Sequence, residues 1–199
     1  MSGNKFFSWL RSLSLCLTLV APTVTHAADT FGVNELMHTL AQVKSSRATF
    51  VERKYLSLMY APLESSGTLL YTAPGRVEKY TLLPKAESMV LEQDSLIVEG
   101  GAAGKRRVLP LREYPVAWAF VESFRSTLAG DVQTLNRFYQ VKLEGQPKQW
   151  LLILKPIEPK MKYLVSEIRI AGSEAHIATI EVWEKEGDHS VMTIRKDNS

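Results

Sequence analysis

The chain has 199 residues, 24 Lys and Arg against 21 Asp and Glu, and a formal charge of +3. That near balance gives no general case for nucleic acid as a partner. A single cysteine, Cys16, excludes a disulfide within the chain, and outside the first 27 residues it leaves no thiol nucleophile and no cysteine metal site.

Lys5 and Arg11 give a positive start, and Leu13 to Val24 ("LSLCLTLVAPTV") form an apolar run. A bilayer crossing needs about 20 apolar residues, so this run is too short. Thr25 and Ala27 then supply small residues before Ala28. The pattern predicts a secretory signal peptide over residues 1–27, cleaved near Ala27, and a location outside the inner membrane. Cys16 sits inside that signal, preceded by Leu15 and followed by more of the run, which argues against lipid attachment there. Removing 27 of the 199 residues leaves 172 and takes Lys5 and Arg11 but no acid, so the charge falls to +1. Residues 28–199 suit a single domain with one sizeable core.

"DTFGVNELMHTLAQVKSS" predicts a helix capped by Asn34, with Leu36, Leu40 and Val43 at helical spacing. Strand patterns follow: "RATFVERKYL", then "SSGTLLYT" and "RVEKYTLL" around Pro74-Gly75, then "ESMVLEQDSLIVEG" folded about residues 92–95. Charges interrupt the apolar pattern in the second of these hairpin strands, at Arg76, Glu78 and Lys79. A glycine-rich loop leads through Lys105-Arg106-Arg107 into another short strand. That basic run can meet anionic lipid headgroups or simply keep a hairpin tip soluble.

A helix is predicted from Pro115 to Gly130, with Trp118, Val121, Phe124 and Leu128 on one face, and "DVQTLNRFY" adds a shorter one. Strands return as "FYQVKLEG", "QWLLILKP", "YLVSEIRIAG", "AHIATIEVWEKEGD" and "HSVMTIRK". No strand–helix alternation appears, so the sheet is expected to be antiparallel and the class mainly β with a few helices, α+β.

Gly172-Ser173 continues as Glu-Ala-His and forms no nucleophile elbow, and no H-E-x-x-H occurs. "GGAAGKRR" lacks the order of a phosphate-binding loop, and His38, His176 and His189 are far apart in the chain. No catalytic residue, metal site or cofactor is expected.

Taken together, the N-terminal amphipathic helix, "ATFVERKYL", "SSGTLLYTAPGRVEKYT", "ESMVLEQDSLIV", "LAGDVQTLNRFYQV", "WLLILKP" and "IRIAGSEAHIATIEV", in that order, resemble the periplasmic outer-membrane lipoprotein carrier protein LolA and its LolA-like relatives. The resemblance implies an unclosed antiparallel β-barrel, a half-barrel, with helices as a lid. It implies a soluble, monomeric, non-enzymatic periplasmic carrier whose apolar concave face holds the acyl chains of a lipidated cargo. An inner-membrane transporter would load it and an outer-membrane acceptor unload it. The expected lining or lid residues are Leu36, Leu40, Phe50, Leu69, Tyr71, Val77, Lys79, Trp118, Val121 and Phe124.

The sequence departs from the family at Ala73, where the carriers have an Arg before the strand-ending proline that ties lid to barrel. It departs again at Val77 and Lys79, where aromatic residues are usual. Lys79 either points into the cavity mouth toward an anionic group of the cargo or is a solvated residue paired with Glu78 or Glu52. The departures suggest a cargo other than the usual lipoprotein, of the glycolipid-like or aryl-polyene type. Two rival readings stand beside the carrier. One is an accessory interaction module of an export system with a filled interior. The other is an enzyme using Asp131 or a histidine as base.

Overall fold

The protein was analysed as a computed structural model that describes residues 31–100 and 104–197. The signal peptide and Cys16 lie outside the described residues. In chain order the elements are α1 (Val33–Ala41), β1 (Ser45–Tyr55), β2 (Leu63–Thr72), β3 (Arg76–Leu83), β4 (Glu87–Glu92), β5 (Ser95–Gly100) and β6 (Arg107–Pro110). A single 3-10 turn (Leu111–Glu113) leads into α2 (Pro115–Ala129) and α3 (Val132–Phe138). Then come β7 (Tyr139–Gln146), β8 (Gln149–Pro156), α4 (Pro159–Leu164), β9 (Val165–Ser173), β10 (His176–Glu184) and β11 (His189–Lys196).

The strands form one 11-stranded sheet in the order β6-β5-β4-β3-β2-β1-β11-β10-β9-β8-β7, and every pair is antiparallel. The chain therefore makes two meanders joined where β1 pairs with β11. The free edges are β6 and β7, and they are not hydrogen-bonded to each other, so the barrel is open. The chain between those two edges is α2 and α3. At the seam of the meanders, Tyr55, His189 and Trp183 stack across β1, β11 and β10, with ring centroids 4.6 and 4.3 Å apart. Cross-strand aromatic contacts of this kind pin register.

The packed core belongs to one half of the sheet. Leu36, Met37 and Leu40 of α1 meet Leu135 of α3, Tyr139 of β7, Trp150, Leu152 and Leu154 of β8, Met161 of α4 and Ile168 and Ile170 of β9. Strand β8 alternates buried and more exposed positions, the period-two pattern of a sheet with one covered face. Each such buried aliphatic side chain stabilises the fold by about 1.5–3 kcal/mol.

Two glycines fix close approaches. A Cβ on Gly67 would lie 1.9 Å from the Tyr80 carbonyl oxygen, at the register shift between β2 and β3. Gly130 ends α2 at φ +72°, and a Cβ there would lie 2.3 Å from the Met37 carbonyl oxygen of α1. The two helices can touch only because that residue lacks a side chain.

Two local expectations are corrected. Asn34 does not cap α1: it is exposed within the helix, and Gly32 occupies the cap position without a side-chain hydrogen bond. The segment expected to open a strand at Tyr163 is helical through Leu164, because Pro159 at the first turn starts a short helix that buries Met161. On α2 the described side chains divide into two sets. Trp118, Val121, Phe124 and Leu128 are half-buried, while Glu122, Ser123, Ser126 and Thr127 are buried. Mostly small side chains there let the helix lie close to its neighbours. Among the described residues no helix is long and apolar enough to cross a membrane.

Candidate functional site

Strand alternation sorts the side chains into two faces, and the register shows what lies on the covered one. Val98, Met89, Lys79, Leu69 and Ala48 are successive partners across β5, β4, β3, β2 and β1. The neighbouring row runs Leu91, Val77, Tyr71. Beyond the seam, Met192, Ile180, Ile170 and Leu152 continue the surface across β11, β10, β9 and β8. Leu152 is sealed in the core and the buried Ile170 stands between that core and the open half, but Leu69, Val77, Met89, Ile180, Met192 and Ile194 are only half-buried. They bound a cavity of about 1100 Å³ between the sheet and the helices, closed on the helix side by Leu40, Phe124, Thr127 and Leu128. A cavity of this size slightly exceeds ordinary ligand sites, and the apolar part of its lining suits hydrocarbon.

Six of the expected residues line that cavity: Leu40, Leu69, Tyr71, Val77, Lys79 and Phe124. The other four lie apart from its lining. Leu36 is sealed in the core, Phe50 is buried beneath Lys79, and Trp118 packs edge-on against Phe138 at 5.2 Å. Val121 is half-buried on α2. Missed were Ile177, Ile180 and Val182 of β10 and Met192 and Ile194 of β11. Their alternation was visible, but only the pairing of β11 with β1 turns it toward the cavity.

The charges in β3 divide between the two faces. Lys79 lies in the apolar inner row, where its Nζ donates to Glu52 Oε2 at 2.5 Å and stands 4.9 Å from the Phe50 ring centroid. The inward orientation of one reading and the Glu52 partner of the other therefore both hold. Each side chain of the pair keeps about a quarter of its surface exposed, 24% and 23%, facing the cavity. Arg76, Glu78 and Tyr80 form a separate network with Glu92 of β4. Arg76 Nε donates to Glu78 Oε1 at 2.8 Å, Tyr80 Oη donates to Glu78 Oε2 at 2.5 Å, and Arg76 Nη1 meets Glu92 Oε1 at 2.6 Å. The Arg76 guanidinium first, then the Tyr80 hydroxyl, hold the Glu78 carboxyl below the usual carboxylate range.

Arg76 is thus engaged elsewhere and does not replace the arginine missing at Ala73. The connection between helix and sheet runs from the other side. Arg125 of α2 donates from Nη1 to the carbonyl oxygen of Gln93, in the β4–β5 turn, at 2.8 Å. Its aliphatic stem lies over Gly75 of the β2–β3 turn, where a Cβ would stand 2.5 Å from Cδ. Tyr71 Oη adds a hydrogen bond to the Leu128 carbonyl at 3.3 Å. Glu122, buried one turn before Arg125 and ion-paired with it, has its carboxyl raised above the ordinary range, chiefly by burial.

Asp131, the residue considered as a base, caps α3 instead, accepting from the Thr134 N–H at 3.0 Å. Among the described residues no group of three or more His, Cys, Asp or Glu could hold a metal ion.

The family described as outer membrane lipoprotein carrier protein LolA-like matches residues 25–195. No curated protein sequence matches. Among solved structures, a LolA superfamily protein from Nitrosomonas europaea is similar at 10% identity and TM-score 0.41, over 85% of this chain and 95% of that one. A Vibrio parahaemolyticus domain described as an outer membrane lipoprotein-sorting protein gives 9%, 0.44, 84% and 92%. The Pseudomonas aeruginosa MucA/MucB complex gives 14% and 0.48 over 82% of this chain, which spans only 56% of that one. The family match, rather than these remote likenesses, supports the assignment.

Proposed function

The chain belongs to the outer membrane lipoprotein carrier protein LolA-like family, and from that premise we propose that it is a periplasmic carrier sheltering the acyl chains of a lipidated cargo on the way from the inner to the outer membrane. The observation that carries the reading is the cavity of about 1100 Å³, whose floor is apolar and half-exposed while the other half of the sheet is tightly packed. A protein built only to hold its shape would fill that space, since packed interiors leave few voids larger than a water molecule. The same observation disfavours an accessory module with a filled interior.

Each acyl methylene taken from water gains about 0.8 kcal/mol, so a long chain needs an escort across an aqueous compartment. Reversible delivery requires that the empty site recover part of that gain by closing. The half-buried stripe of α2, held to the sheet by Arg125 and Tyr71, is placed to do so. Export by the N-terminal signal, an inner-membrane transporter as donor and an outer-membrane acceptor complete the reading by analogy with the family. The cavity is a binding site rather than a catalytic one.

Titration with a fluorescent fatty acid tests the assignment. The wild-type chain should take up the probe saturably, and Met192→Trp, which fills the floor from β11, should abolish uptake while leaving the circular dichroism spectrum unchanged. A folded wild-type chain that never takes up the probe, or a filled variant that binds equally well, would sink the proposal.

A further inference from the structure

The antiparallel pairing sends alternate connections to opposite edges of the sheet. One edge carries the β1–β2 loop (56–62), the β3–β4 turn (84–86), the end of the β5–β6 loop (104–106), the β8–β9 connection with α4 (157–164) and the β10–β11 turn (185–188). The other carries the turns at 73–75, 93–94, 147–148 and 174–175. Nearly all the exposed large apolar side chains gather at the first edge. Leu58 and Tyr60 are 97% and 112% exposed, and Met59, Leu63, Leu82, Leu83, Ile157, Tyr163 and Leu164 join them. Tyr55, at the end of β1, is also at this edge, and among the described residues only Val108 and Tyr114 of that exposed set lie elsewhere.

The β1–β2 loop is held with those tips outward. Ser57 donates from its backbone N–H and its hydroxyl to Asp188 Oδ1 at 2.8 and 2.7 Å, and the Met59 N–H closes a turn on the Leu56 carbonyl at 2.9 Å. The loop "LSLMYAP" has no charge of its own. Its neighbours at this edge supply it: Lys85, Lys105, Arg106, Lys160, Lys162 and Lys185 stand against Glu158, Glu186 and the Ser57-bound Asp188. The opposite turns hold Lys148 against Asp94 and Glu174.

We propose that this edge of the sheet is a docking surface for an anionic phospholipid bilayer, with Leu58 and Tyr60 entering the headgroup–acyl boundary and the surrounding lysines facing anionic headgroups. Exposed apolar tips interleaved with lysines suit such an interface, where shallow apolar insertion and attraction to anionic lipid add together. A protein partner is the poorer occupant, because protein interfaces are depleted in lysine and centre on a dry apolar patch. The inference does not depend on the cavity holding a ligand: a chain with its cavity filled by Met192→Trp would still dock.

Sedimentation with vesicles tests it. The wild-type chain should pellet with phosphatidylethanolamine–phosphatidylglycerol vesicles, less so as salt is raised, and not with phosphatidylcholine alone. Leu58→Ser with Tyr60→Ser should weaken that partitioning about tenfold, and Lys160→Glu with Lys162→Glu by a similar factor. All four side chains are exposed, and the proteins compared share the same N-terminus, so differences belong to this edge. Failure to bind either vesicle, equal binding to phosphatidylcholine, or loop variants that sediment like the wild type would each overturn the proposal.

Discussion

At the scale of single residues, Lys79 shows how far spacing reaches. Period-two alternation placed it with Val77 on one side of β3, and that side is the inner one. Its partner Glu52 sits on β1, 27 residues earlier in the chain, a distance no local pattern spans. The pair lies on an apolar floor, so removing one member leaves the other without compensation. Lys79→Ala should cost about 1–2 kcal/mol in a denaturant melt, less than for a fully buried pair because a quarter of each side chain remains exposed. Glu52→Leu with Lys79→Met should recover most of that loss, and a double variant as unstable as the single one would contradict the account. Asp131 offers a pH-dependent check. Its hydrogen bonds from Thr134, the side-chain one first, hold its carboxyl below the ordinary value. A depressed folded pKa means that the stabilisation is complete above the ordinary carboxylate range and lost as pH falls through the lower folded value. Asp131→Ala should therefore cost about 1 kcal/mol at neutral pH, with wild type and variant converging in acid.

At the scale of elements, the ends of α2 were legible, Pro115 near its start and Gly130 at its close, because those residue types act locally. Its orientation was not. The apolar stripe showed that the helix has a face to cover, while burial falls on Glu122, Ser123, Ser126 and Thr127. Amphipathic spacing identifies a stripe that needs cover; it does not say whether a core or a ligand provides it. Helix α4 was missed for a different reason: six residues are too few to show a helical period. The attachment of α2 through Arg125 depends on turns 32 and 50 residues away, at Gln93 and Gly75, and carries no sequence signal. Arg125→Ala combined with Glu122→Gln, which avoids a stranded buried carboxylate, should weaken closure by about 1 kcal/mol. In stopped-flow exchange of a fluorescent fatty acid the release rate should then rise about fivefold; an unchanged rate would remove Arg125 from the closing device.

At the scale of the whole molecule, the antiparallel class and the near-complete strand order could be read from turns and alternation, since meander neighbours are adjacent in sequence. What could not be read was the pairing of β1 with β11, which joins the two meanders and turns β10 and β11 into cavity floor. Nor could the segregation of the packed core to the β7–β9 half, since residues such as Ile180 and Ile168 have the same chemistry and differ only in what covers them. The result is a sheet with one half sealed and the other open beneath a helix. The most direct test is native mass spectrometry of the protein purified gently from the envelope of its own cells. A lipid-sized mass that copurifies with the wild type and is absent from Met192→Trp is the predicted result. A wild-type chain that is always bare, and stays bare after incubation with envelope lipids, would contradict it.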